Sequence, residues 1–144
     1  MRRVLTVLAG AALMFGVAVP AASASTAPVT QVIKVKAVQS PGTFHGMSFS
    51  FTETLWQHGK KVGHDAVTCT FSNPSPTAVG HCTGVVIFPG SGDLFITATT
   101  DATDPGAHGR VVGGTGVFTN AQGKLLVTNP NGDNIESITM TFHV

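Results

Sequence analysis

Seven clusters of turn-forming residues divide this chain into short pieces, and that punctuation is the strongest constraint on its fold. They are Ser40-Pro41-Gly42, His58-Gly59, Asn73-Pro74-Ser75-Pro76, Pro89-Gly90-Ser91-Gly92, Asp104-Pro105-Gly106, Gly113-Gly114-Thr115-Gly116 and Asn129-Pro130-Asn131-Gly132. Glycine and proline at this spacing interrupt helices, and no long stretch of 3.6-residue periodicity survives between them. The pieces are instead rich in Thr and Val, whose branched side chains suit a pleated surface. They predict strands near 29–38, 47–57, 62–71, 78–88, 93–101, 110–113, 123–129 and 134–144. Eight strands joined mainly by short turns predict an all-β antiparallel meander, and closing it into an eight-stranded barrel removes the exposed edges. An open sandwich is the competing architecture.

The N-terminus reads as an address rather than as part of this fold. Arg2 and Arg3 precede an uncharged apolar run from Val4 to Val19, Pro20 breaks it, and Ala22-Ser23-Ala24 supplies a small-x-small cleavage pattern. The run is short for a membrane anchor. The expectation is a signal peptide over 1–24, one secreted domain over 25–144, and no membrane association after cleavage. Removing Arg2 and Arg3 leaves six basic against seven acidic residues, a net charge of −1. So nearly neutral a surface has no electrostatic attraction for nucleic acid, which is excluded as a partner. Cys69 and Cys82 are the only cysteines, and an even count in an oxidising compartment predicts one disulfide.

Alternation in the second predicted strand singles out the candidate site. Met47, Phe49, Phe51, Glu53 and Leu55 share one face, and Ser48, Ser50, Thr52, Thr54 and Trp56 share the other. A carboxyl among large apolar side chains is expensive unless it is paired or functional. If the row faces a lumen, Phe49, Phe51 and Leu55 form a binding wall and Glu53 is the catalytic candidate, its proton held by desolvation. If the row faces outward, it is a subunit contact with Glu53 at its wet edge. The last strand repeats the pattern through Glu136, Ile138, Met140, Phe142 and Val144, with Glu136 expected at a rim beside Asn131-Gly132-Asp133. The histidines lack metal-ligand spacing, although a hairpin could bring His64 and His81 together; no metal site is expected. No G-x-S-x-G nucleophile elbow is present. Gly113-Gly114-Thr115-Gly116 lacks the Lys and helix of a phosphate loop and reads as a sharp turn.

The stretch Arg110-Val111-Val112-Gly113-Gly114-Thr115-Gly116-Val117-Phe118, followed by Ala121-Gln122-Gly123, resembles the late segment of allene oxide cyclases and dirigent proteins. Upstream, Phe51-Thr52-Glu53 through Gly59, Val62-Gly63 and Cys69 is similar to the opening hairpin of bacterial members. The resemblance implies an eight-stranded barrel with a hydrophobic lumen, often assembled as a homo-oligomer such as a trimer, working without a cofactor on a small hydrophobic molecule, a lipid or a phenolic. It implies cyclisation of a strained epoxide or stereoselective coupling of phenoxy radicals, with Glu53 near the early pocket carboxylate of the cyclases. The family's pocket Tyr has no counterpart, since the chain contains no Tyr. The alternative expectation is a non-catalytic carrier, or a structural barrel filled by its own side chains.

Overall fold

The computed structural model describes residues 28–75, 78–101, 106–129 and 131–144. The expected leader lies outside the described residues, as do Pro76, Asp104, Pro105 and Pro130 of the expected turns. The chain runs through strands β1 (Thr30–Gln39), β2 (Thr43–His45), β3 (Ser48–Gln57), β4 (Lys60–Phe71), β5 (Gly80–Phe88), β6 (Gly92–Thr100), β7 (Gly106–Gly114), β8 (Gln122–Thr128) and β9 (Ile135–His143). A short 3₁₀ turn at Gly116–Phe118 separates β7 from β8.

Every pairing is antiparallel. From β3 onward each strand pairs with the next, β9 pairs with β1, and β1 pairs with β3 through Lys36↔Trp56 to Gln39↔Glu53. Those contacts close eight strands into the expected barrel. Two elements differ from the sequence expectation. A ninth short strand, β2, pairs with β3 beyond the ring. The strand expected at 110–113 is Gly106–Gly114, because Gly109 sits inside it rather than ending it. A side chain at Gly109 would collide with Thr97 O on β6, so glycine there reflects close backbone approach.

Alternation is clearest on β4. There Gly63, Asp65, Val67 and Cys69 are buried while His64, Ala66, Thr68 and Thr70 are exposed. Outside, hydroxyls bridge neighbouring strands, Ser50 to Thr68 at 2.9 Å and Ser48 to Thr70 at 3.2 Å. Trp56 lies on this outer side. Inside, the lumen is not uniformly hollow. Val35, Leu55, Val86, Leu94, Met140 and Phe142 pack one half solid, and Phe118 enters from the 3₁₀ turn to finish it. Its ring lies 5.6 Å from Phe88 and 5.9 Å from Phe142. Gly116 turns the chain inward with φ +59, a conformation L side chains rarely adopt. Thr115 Oγ1 accepts from Asp93 N at 3.0 Å, and Val117 N donates to Ser91 O at 2.9 Å, so the Gly-rich segment is a structural plug.

Cys69 and Cys82 are directly opposed on β4 and β5 and form the expected disulfide. Cross-linking a short loop restricts the unfolded chain, which in a chain-entropy account contributes about 3 kcal/mol. Reduction is expected to lower the melting temperature by that equivalent, read by thermal denaturation with and without a thiol reductant. An unchanged transition would show that the bridge contributes nothing. No helix among the described residues is long and apolar enough to cross a membrane.

Candidate functional site

The other half of the barrel holds a cavity of about 320 Å³. Its wall is mostly apolar: Phe49 and Phe51 from β3, Val67 and the Cys69–Cys82 disulfide, Ile96 and Ala98 from β6, Leu125 and Val127 from β8, Ile138 from β9. Gly106 and Gly132 stand at the end away from Phe118, where the cavity opens. An aromatic row leads inward from there. Exposed Phe44 stacks on Phe49 at 4.5 Å, and Phe49 lies 5.4 Å from Phe51.

Where this row meets the packed half, the wall turns acidic. Glu53 is 3% exposed and Asp65 0%, and they are direct cross-strand partners on β3 and β4. Gln39 on β1 is the partner of Glu53 on its other side, and half-buried Glu136 on β9 faces the same space. Desolvation, then the Asp65 charge, pushes the Glu53 carboxyl up to about 9. Desolvation also raises Asp65, to about 6, opposed by hydrogen bonding from Glu53 and the nearby His64 charge. Burial raises Glu136 as well, followed by repulsion from Asp65 and offset by a hydrogen bond from Asn129. Burial therefore favours a proton retained between the two opposed carboxyls, with Glu53 donating to Asp65. Among the described residues, no donor outside the pair reaches Glu53 Oε1 or either Asp65 oxygen. Such an arrangement combines a retained acid with an adjacent base.

The sequence-predicted residues separate here. Phe49, Phe51 and Glu53 are on the cavity wall. Leu55, expected beside them, is fully buried in the packed half and does not line the cavity, because the plug consumes the lumen at its level. Met47 is half exposed beyond the barrel wall. His64 opposes Ile87 and His81 opposes Thr70, so the hairpin does not bring the two histidines together. Asp65 is the site residue that sequence reasoning misses, and the cause is a bulge. Straight pairing from Gln57↔Lys60 would set Glu53 against His64. One extra residue at Val62 shifts the register between Leu55 and Trp56 and sets Glu53 against Asp65 instead. The available signal is the alternation Gly63, Asp65, Val67, Cys69, Phe71, which copies the acid-among-apolar pattern of β3.

No protein-family model matches the chain, and no curated protein matches it by sequence. Among solved structures it is similar to a pyocyanin demethylase, with a TM-score of 0.68 and 23% identity, over 78% of this chain and 99% of that one. A likeness at that identity establishes the shared barrel fold.

Proposed function

We propose that this protein is a secreted barrel, residues 25–144 after a leader of 1–24, that receives a small hydrophobic molecule in its half-hollow lumen. It holds the guest against the Glu53–Asp65 pair and steers a cofactor-free cyclisation or stereoselective coupling. The observation that carries this reading is a pair of directly opposed carboxyls, Glu53 and Asp65, both buried at the inner end of an apolar cavity. Glu53 protonates an oxygen of the guest, and Asp65, relieved of that hydrogen bond, takes up a proton released elsewhere on it. The apolar walls contribute by admitting one reactive conformer, which itself lowers a barrier by several kcal/mol. The volume stands at the lower end of ligand pockets, which suits a compact guest. The Gly-rich segment's resemblance to allene oxide cyclases and dirigent proteins supports the reaction class. The solved neighbour, named for demethylating pyocyanin, supports chemistry on a small molecule in such a barrel. Leader and disulfide support export.

The test is product chirality. Incubation with an allene oxide, or with a phenol plus a one-electron oxidant, is expected to give enantiomeric excess. Glu53→Gln is expected to lower turnover by roughly 10²–10⁴-fold while the protein remains folded. Racemic product in both reactions would overturn the proposed chemistry, and an unaltered rate in the variant would remove Glu53 from it.

A further inference from the structure

We infer that the guest of this cavity carries, beside the oxygen that Glu53 protonates, a positively charged nitrogen, as a hydrophobic amine or a protonated nitrogen heterocycle, and presents its N–H to the acceptor oxygens of the Glu53–Asp65 pair. This rests on the cavity being the ligand site and names what class of molecule the site selects.

The first ground is an uncompensated charge. Glu53, Asp65 and Glu136 converge on one cavity, while every Lys, Arg and His among the described residues is exposed. The walls from β5 to β8 add no titratable group to the lining, and the His64 ring lies on the outer face of β4. A buried anion without a counter-ion is costly, and a bound cation offsets that cost directly.

The second ground is a surplus of acceptors. Glu53 Oε1, both Asp65 oxygens and Asn129 Oδ1 are all enclosed, and among the described residues none of them meets a donor from outside the Glu53–Asp65 pair. The shared proton satisfies one of them. The Asn129 amide nitrogen is divided between Asp133 O at 2.7 Å and the Glu136 carboxyl, and the Thr100 hydroxyl donates to Gly106 O at 3.0 Å. A guest with only carbonyl or carboxylate oxygens would leave these atoms unmet, whereas an ammonium or ring N–H meets them. The third ground is the pair of aromatic rings on the cavity wall, Phe49 and Phe51, since aromatic rings attract cations and their bulk accepts an apolar body.

Three probes of one shape test this, titrated by calorimetry into the purified protein: 1-naphthylmethylamine, 1-naphthylmethanol and 1-naphthoate. The amine is expected to bind at least about tenfold tighter than the alcohol, as one buried charge-assisted hydrogen bond implies, and the naphthoate to bind weakest. Amine affinity is expected to rise from pH 6 to pH 8, because Asp65, raised to about 6, becomes anionic over that range while Glu53 keeps its proton. Glu53→Gln combined with Asp65→Asn is expected to bring the amine down to the affinity of the alcohol. Equal binding of amine and alcohol to the unsubstituted protein would overturn the inference and leave the cavity as a ligand site. Binding of none of the three would remove the ligand site itself. The comparison among probes needs no variant, so it stands even where the double variant misfolds.

Discussion

Glu53→Gln is expected to raise the melting temperature at pH 8 by on the order of 10 °C and to flatten the pH dependence of stability. The sign follows from where the proton resides. Burial raises the Glu53 carboxyl from 4.5 to about 9, so between those values the folded chain holds a proton that the unfolded chain has released. Stability from that proton is complete below about pH 4.5 and is lost as pH rises toward 9. Asp65 adds the same trend over a lower and narrower window, from 3.8 to about 6. The total loss amounts to several kcal/mol, since each pKa unit corresponds to about 1.4 kcal/mol. Gln keeps the shape and still donates to Asp65, while removing the titration. Thermal denaturation of both proteins at pH 5 and pH 8 measures the effect. A native protein that gains stability between pH 5 and pH 8 would show that Glu53 is not held protonated.

Phe118→Ala is expected to cost about 3–5 kcal/mol, the range for emptying a buried aromatic site. The ring is 5% exposed and fills the space between Phe88 and Phe142, where the rigid barrel cannot collapse to replace it. Urea denaturation gives the number, and a loss below about 1 kcal/mol would mean that the plug does not belong to the core. Because the substitution lies in the half opposite the cavity, affinity for a luminal probe is expected to survive it at temperatures where the variant is folded.

Strand content and closure were legible because Thr, Val and Phe alternate between punctuating turns, and alternation is what a one-sided sheet demands. The disulfide followed from cysteine count and was placed by the hairpin between β4 and β5. Elsewhere, one residue's local geometry outweighed pattern. Val62, as the extra residue of a bulge, reverses which of His64 and Asp65 stands opposite Glu53, and only the alternation from Gly63 to Phe71 hints at it. The strand expected from 110 begins instead at Gly106, and Gly109 within it is a point of close strand approach. Leu55 reads as a binding-wall residue but is covered by the plug that Gly116 directs inward from a distant segment. Glu53 was recognisable alone; its partner required the bulge.

The plug also governs traffic. With Phe118 sealing one end, the described lumen is a cul-de-sac, and whatever enters must leave through the same doorway. A newcomer cannot push a resident out from behind, so the escape rate of a bound molecule is independent of how much competitor surrounds it. For any reaction run inside, each turnover ends with a complete evacuation before the next begins, and product contends with substrate for a single berth.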